Sequence, residues 1–423
     1  MRLDRLDATH VAPLKKHTGS IGLIRQRQAV ALGSEPRVLL DKVPLGHPEK
    51  CGDSRDVGFG ESNKARPPAT VATALTCIPD VVSCCSRRTS SGNHIAMRLL
   101  VTGGCGFIGS NFVRYILEHY QPEFVTNVDA LTYAGNSENL AGFAERYGER
   151  YEFHHADICD AKAVDEILAS HKFFAIINFA AESHVDRSIS SPQSFVNTNV
   201  LGTSVLLEAA RRHGVKRFVQ ISTDEVYGSL GPEGRFTETS PIEPSSPYSA
   251  SKAGGDLLAL ACHHTYGQEV VITRCSNNYG PYQFPEKLIP LMITQALADR
   301  ELPVYGDGLN VRDWIHVEDH CAAIVAVMLE GRPGHVYNVG ADSEMKNIDV
   351  VRMILGALGK PDSLIKYVTD RLGHDRRYAI DSAKIRGELG WKPLRDFPKA
   401  LAETVEWYLS NEDWWRRILA RHS

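Results

Sequence analysis

Tyr248-Ser-Ala-Ser-Lys252 places a phenol and an ammonium four residues apart. At the start of a helix this spacing puts both groups on one face, one turn apart. A free phenol has a pKa of about 10, so it acts as a base near neutrality only beside cations that stabilise the phenolate. Ser222-Thr223 offers a hydroxyl for the same substrate oxygen, and it is followed directly by Asp224 and Glu225. Two adjacent carboxyls at a buried strand end are costly unless they are used or paired. Oxidation at a single carbon has no use for them. Elimination of water does, because one carboxyl removes a carbon-bound proton and the other protonates the departing hydroxyl.

A second constellation lies upstream. Thr102-Gly-Gly-Cys-Gly-Phe-Ile-Gly109 follows an apolar run and opens an amphipathic stretch that reaches Tyr120. Gly103 allows a tight turn, Gly106 lets a pyrophosphate approach the backbone, and Gly109 lets helix and strand pack closely. Asp129 ends the next strand, where an acid accepts hydrogen bonds from both ribose hydroxyls and repels a 2′-phosphate. The pattern therefore predicts NAD rather than NADP. An oxidised nicotinamide is also a second cation for the Tyr248 phenolate, and Lys252 holds its ribose. Asp157-Ile158 closes the third strand, toward the adenine, and Ala180-Ala-Glu-Ser183 closes the fourth. Cys105 reads as a small spacer in the loop.

These groups need elements to hold them. Short apolar runs at 98–102, 124–128, 151–155, 174–179, 217–222 and 269–274 alternate with helical patterns at 138–147, 160–170, 193–213 and 248–266. Strands separated by such helices imply βαβ units and a doubly wound parallel sheet in an α/β fold. Beyond about residue 280 the pattern loosens. A short strand at 336–339 is mixed with helices at 286–300, 317–330, 347–358 and 396–409, which predicts a smaller mixed α/β C-terminal lobe.

The chain has 423 residues, 43% hydrophobic and 23% charged, with a net charge of −4. That is globular composition without the basic field that nucleic acid requires, so no nucleic-acid partner is expected. No apolar run is long enough to span a membrane. Nine cysteines without CxxC spacing read as inert thiols of a reducing compartment. Residues 1–96 differ from the rest. They carry 14 Lys+Arg against 9 Asp+Glu, and Phe59 is their only aromatic residue. So little apolar surface does not offset ordering entropy, and the expectation is a disordered N-terminal extension or a start at Met97.

Several longer stretches carry a resemblance: Val128 to Asn136, Ala180 to Ser188, Ser222 to Gly228, Arg274 to Pro290, Gly306 to Asp319 and Asp370 to Asp381. With the glycine loop and the Tyr248/Lys252 pair, the chain from Met97 nearly to its C-terminus resembles the dTDP-glucose 4,6-dehydratase family of the extended short-chain dehydrogenase/reductases. The resemblance implies a Rossmann-type NAD-binding domain over 97–280 and a nucleotide-sugar lobe over 281–423, with the chain crossing back to the first domain. It implies conversion of dTDP-glucose to dTDP-4-keto-6-deoxyglucose and water. The same scaffold also serves UDP-glucose 4,6-dehydratases, nucleotide-sugar epimerases and decarboxylases, and a silent NAD-binding scaffold is an alternative of another class.

Residue by residue, the resemblance implies that Tyr248 deprotonates the sugar 4-hydroxyl, with Lys252 and Thr223 beside it. Glu225 takes the C5 proton and Asp224 protonates the C6 hydroxyl. Gly103, Gly106, Phe107, Ile108, Gly109, Asp129, Asp157, Ile158, Ala180, Ala181, Thr198, Tyr248, Lys252 and Asn278 would line the NAD site. Ser183, Thr223 and Asn277 would meet the sugar. Lys287, Leu288, Pro303, Tyr305, Arg312, Asn347, Asp370, Arg371 and His374 would hold the nucleotide diphosphate, as a guanidinium fork suits phosphate oxygens. No metal site is expected: the pairs His154-His155 and His263-His264 lack further ligands at metal spacing. The family also implies a cytoplasmic homodimer built on the helices 193–213 and 248–266. Two departures stand out. Ala130 occupies a position that is Lys in many members, and Leu372 replaces Pro in the Asp370–His374 segment.

Overall fold

The structure, a computed structural model, describes residues 97–422. The expectation for residues 1–96 lies outside the described residues. Seven parallel strands form the main sheet: β1 (Arg98–Thr102), β2 (Phe124–Asp129), β3 (Tyr151–His155), β4 (Ala175–Asn178), β5 (Arg217–Thr223), β6 (Glu269–Cys275) and, far along the chain, β10 (Val336–Val339). Their order is β10-β6-β5-β4-β1-β2-β3. The order reverses beside β1, so a crevice opens where β1 and β4 end, the place where such sheets take ligands.

Alternate residues of β1 feed two apolar layers, because strand side chains point to opposite faces in turn. Leu99 and Val101 pack with Phe112, Val113 and Ile116. Leu100 packs with Ile176, Phe218 and Leu206 on the other face. Helix Val317–Glu330 joins the first layer, packed against helix Phe107–His119. The chain thus returns from its C-terminal half to finish the main sheet, through β10 and this helix.

The remaining strands are short. β7 (Asn277–Tyr279), β9 (Val311–His316) and β11 (Glu344–Lys346) form a three-stranded sheet in the order β11-β9-β7. β8 (Leu302–Tyr305) pairs in parallel with β12 (Ile365–Val368). A separate apolar cluster of Tyr279, Trp314, Ile348, Phe397, Tyr408 and Trp415 supports them. None of these five strands was read from the sequence; four of them have only three or four residues, too few alternations to stand out.

Two helical expectations are modified. The expected 138–147 helix is a 3-10 turn, Ser137–Leu140, and a short helix, Phe143–Tyr147, separated by Gly142 at φ +77°. The 193–213 helix is interrupted by a π-helical segment, Val196–Gly202. That segment aims Asn199 at the loop leaving β4: its side chain accepts from the Glu182 N–H at 2.9 Å and donates to the Glu182 carbonyl at 3.0 Å. Such bulges are a common device for aiming a side chain at a functional site.

The C-terminal helix Glu412–His422 ties the two regions together. Trp414 is buried and its indole N–H donates to Asn139 Oδ1 at 3.0 Å. Arg417 bonds Glu138 at 2.9 Å. Trp414→Ala is expected to cost about 3–5 kcal/mol, as for other buried large-to-small aromatic changes, and a urea unfolding midpoint measures it.

Candidate active site

A cleft of about 310 Å³ opens at the carboxyl edge of the main sheet. Its nucleotide-side wall is the glycine loop and the start of helix Phe107–His119. Gly103 sits at φ +69°, and a Cβ there would lie 2.6 Å from the Ala180 nitrogen. At Gly109 a Cβ would lie 2.2 Å from the Gly103 carbonyl oxygen. Gly106, by contrast, would meet only that oxygen, at 3.3 Å, so its outer side is open to a phosphate. The buried Asp129 carboxylate accepts the Cys105 N–H and the Leu131 N–H, both at 2.8 Å. Each oxygen keeps a further lone pair for a ribose hydroxyl. These residues fit a dinucleotide. Cys105 is buried and its thiol is pushed up to about 12, first by burial and then by Asp129, as suits an inert spacer. Asp157, Ile158, Ala180, Ala181 and Thr198 line the same cleft, as does Ala130, the position where many members carry Lys.

The candidate acid–base groups Thr223, Asp224, Glu225, Tyr248 and Lys252 line the same cleft. Helix Pro247–Tyr266 starts with a capping box between Ser246 and Ser249 and with Pro247 in its first turn, a combination that fixes the helix start. Tyr248 and Lys252 therefore rise from one face, both buried. The Lys252 ammonium donates to the Ile221 carbonyl at 2.6 Å. The Thr223 hydroxyl lies beside the Tyr248 phenol and donates to Asp224 Oδ1 at 3.3 Å. Ser222, offered by the sequence beside Thr223, turns the other way and donates to Asp256 Oδ2 at 2.9 Å. Thr223 also caps the 3-10 turn Asp224–Tyr227, so neither acid is spent as the cap.

The two carboxyls differ electrostatically. Asp224 is 2% exposed and its Oδ2 has no partner. Burial, with Glu225 and Asp313 nearby, pushes its pKa well above the usual carboxylate range. That direction favours the protonated form, a hydrogen-bond donor. Glu225 is also raised by burial, but Arg371, Arg312 and Lys287 pull it back toward the carboxylate. Tyr248 is pushed well above its ordinary value by burial and then by Glu225. Lys252 is lowered by burial, with Asp256 acting against that.

Ser183, Asn277, Asn278 and Lys287 line the cleft too. The Asn278 amide is largely committed internally: Oδ1 meets His320 Nδ1 at 2.9 Å and Nδ2 donates to the Ser276 carbonyl at 3.0 Å. Leu288, Pro303, Tyr305, Arg312, Asn347, Asp370, Arg371 and His374 are not part of that lining and lie on the C-terminal elements, where the Tyr305 ring meets the His374 ring edge-on at 6.2 Å between centroids. Arg312 lies 4.3 Å from the Tyr378 ring centroid and donates to the Asp375 carbonyl at 2.9 Å. The Tyr378 hydroxyl holds Asp375 Oδ2 at 2.5 Å. His374 Nδ1 meets Asp370 Oδ1 at 2.5 Å although Leu372 between them is exposed. Asn347 Oδ1 is buried without a partner.

Sequence reasoning missed several groups. Tyr133 lines the cleft, its hydroxyl 3.4 Å from Ser183 Oγ, with the Arg187 guanidinium 4.0 Å from its ring centroid. Tyr378 and Asp375 brace Arg312. All three lie inside stretches that carried the resemblance, but no spacing rule gave their side chains a task.

A family model described as GDP-mannose 4,6 dehydratase matches residues 100–404. The chain is 54% identical to a dTDP-glucose 4,6-dehydratase of Streptomyces niveus over 326 residues, 76% of this chain and 96% of the relative. It is 50% identical to one of Escherichia coli over 352 residues, again 76% and 96%. Among solved structures, a dTDP-glucose 4,6-dehydratase from Streptomyces venezuelae with NAD bound matches at TM-score 0.74 and 51% identity, covering 76% of this chain and all of that one. A Thermotoga maritima UDP-glucose 4-epimerase matches at TM-score 0.69 and 29% identity, covering 75% of this chain and all of that one.

Proposed function

Because this chain belongs to the dTDP-glucose 4,6-dehydratase family, we infer that it converts dTDP-glucose to dTDP-4-keto-6-deoxyglucose and water, with NAD as its cofactor. The observation that carries this reading is the convergence of Tyr248, Asp224 and Glu225 on one cleft with the glycine loop. A 4-epimerase on this scaffold has no use for two adjacent carboxyls beside the phenol.

When bound, NAD supplies the redox chemistry, taking hydride from C4 and returning it to C6, and its oxidised ring adds positive charge beside the phenol. Tyr248 takes the 4-hydroxyl proton, with Thr223 orienting that oxygen and Lys252 favouring the phenolate. The resulting C4 ketone acidifies C5–H. Glu225 accepts that proton, Asp224 gives its own to the C6 hydroxyl, and the C6–O bond breaks to release water. Glu225 returns its proton to C5. Ser183 and Asn277 position the sugar, and the cluster around Arg312, Arg371 and Lys287 receives the diphosphate.

We assign NAD binding to 97–280 and the nucleotide sugar to 281–423, with β10 and helix Val317–Glu330 crossing back. Exposed Val196, Leu201, Leu257 and Tyr266 on neighbouring helical segments support a homodimer, testable by analytical ultracentrifugation. No helix among the described residues is long and apolar enough to cross a membrane, in keeping with a cytoplasmic enzyme.

The test is incubation with dTDP-glucose and UDP-glucose side by side. The expected result is a product lighter by one water, formed faster from dTDP-glucose, and an epimerised product of unchanged mass overturns the assignment. Asp129→Asn is expected to narrow the preference for NAD over NADP at least about tenfold, since one buried charge facing the 2′ position is worth about 1.4 kcal/mol or more. Titration of both cofactors by calorimetry measures it.

A further inference from the structure

The candidate acid–base groups sit on two separate elements. Thr223, Asp224 and Glu225 belong to the end of β5 and the turn Asp224–Tyr227, while Tyr248 and Lys252 belong to helix Pro247–Tyr266. Along the chain only the long loop 228–246 joins them. Through space they are joined by Arg274 of β6, which is 3% exposed. Its Nε donates to Asp256 Oδ2 at 3.0 Å, and its Nη1 donates to the Tyr227 hydroxyl at 3.0 Å. Asp256 lies on the helix one turn beyond Lys252, and Tyr227 is the last residue of the turn. Asp256 Oδ2 also accepts the hydroxyl of Ser222, the neighbour of Thr223. The Tyr227 hydroxyl in turn donates to Asn338 Oδ1 of β10 at 2.8 Å. Its ring stacks on Phe236, at 5.1 Å between centroids and 23° between planes. Arg274, Asp256, Tyr227 and Asn338 are all buried, and none has a task in the proposed reaction. A buried ion pair gains little stability over apolar packing, since desolvation offsets the attraction. What it adds is direction, because a rigid guanidinium fork holds two partners at set distances.

We propose that Arg274 is a positioning residue for the elimination step: holding Asp256 with one arm and Tyr227 with the other, it sets the spacing between the helix of Tyr248 and the turn of Asp224 and Glu225. This rests on the dehydratase reading above and deepens it. One hexose has to meet both elements, with its C4 oxygen at Tyr248, its C5 at Glu225 and its C6 oxygen at Asp224. Oxidation at C4 needs the phenol and the nicotinamide, which the helix and the glycine loop place. Loss of water also needs the turn in register with the oxidised sugar. A turn freed from Arg274 keeps its Thr223 cap and both of its acids, but its distance from the helix is no longer fixed. A misplacement of about 1 Å costs a step of this kind up to about 10²-fold. The oxidised sugar then waits in the cleft with the nicotinamide reduced.

Tyr227→Phe on the full chain tests this, because it keeps the stack on Phe236 and removes only the hydroxyl that Arg274 and Asn338 hold. With dTDP-glucose, kcat is expected to fall about tenfold or more while KM stays within about twofold. The fraction of enzyme in the reduced-nicotinamide form during turnover rises. Deuterium at C5 slows kcat more than it does in the wild type, and deuterium at C4 slows it no more. Arg274→Lys is expected to shift the same readouts in the same direction, since a single ammonium stays with Asp256 and leaves Tyr227. In the double variant the two effects do not add, because both cut one contact. A kcat that falls with the reduced fraction and both isotope effects unchanged is a plain loss of active enzyme and overturns the proposal. So does a loss confined to KM, or wild-type turnover in Tyr227→Phe. In each of these cases the wild type still dehydrates dTDP-glucose and the functional reading stands. If the wild type releases no water from dTDP-glucose, that reading falls instead. Circular dichroism checks that both variants fold, and if one does not, the other decides.

Discussion

Tyr248→Phe is expected to lower kcat by roughly 10³-fold, within the range of a lost acid–base group, while leaving the fold intact. In the proposed mechanism the phenol starts the reaction, since without loss of the 4-hydroxyl proton no ketone forms and C5–H stays unreactive. The ring itself is packed edge-on against Phe195, at 6.3 Å between centroids, and Phe keeps that contact. Thr223 beside it still caps its own turn in the variant, accepting the Glu225 N–H. In the ligand-free site burial and Glu225 hold the phenol protonated, so the wild-type rate is expected to rise with pH through the lowered pKa of the ternary complex. The alkaline absorbance of the 4-keto product follows both effects. A variant that retains a tenth or more of wild-type turnover would assign the first proton transfer elsewhere.

Glu225→Gln separates the two halves of the reaction. Oxidation at C4 needs Tyr248 and not Glu225, so it proceeds once, and elimination then stops for want of a base. The expected result is a stoichiometric burst of reduced-nicotinamide absorbance that does not decay, with turnover down by about 10²–10⁴-fold. Asp224→Asn slows the loss of the C6 hydroxyl instead, and C5 hydrogen exchange with solvent persists because the base is intact. That contrast follows from the environments: burial and neighbouring acids raise Asp224 well above the carboxylate range, whereas Arg371, Arg312 and Lys287 act against the rise that burial gives Glu225. Full turnover by Glu225→Gln, or identical exchange behaviour in the two variants, removes the division of labour.

The parts of the site that lie close in sequence were legible in it. Gly103, Gly106, Gly109 and Asp129 fall within one βαβ unit, where strand, turn and helix fix their mutual positions. Tyr248 and Lys252 are one helical turn apart, and Asp224 and Glu225 are adjacent, so local geometry alone brings each pair to one face. The strands 98–102 and 124–128 were readable because strands buried on both faces leave continuous apolar runs, whereas 151–155 is a part-buried edge strand. Helix 193–213 misread its π-helical segment because hydrophobic periodicity does not report a one-residue bulge that aims Asn199.

Tertiary structure decided what depends on contacts between distant segments. It sends the Ser222 hydroxyl to Asp256 and leaves Thr223 for the cleft. It adds β10 to the main sheet and hangs the C-terminal helix on Asn139 through Trp414. Above all it distinguishes two neighbouring carboxyls of nearly the same chemistry. Their proton affinities are set by burial and by charges some 60 to 150 positions away in the chain, and the Coulomb energy depends on distance through space, which no spacing along the sequence records.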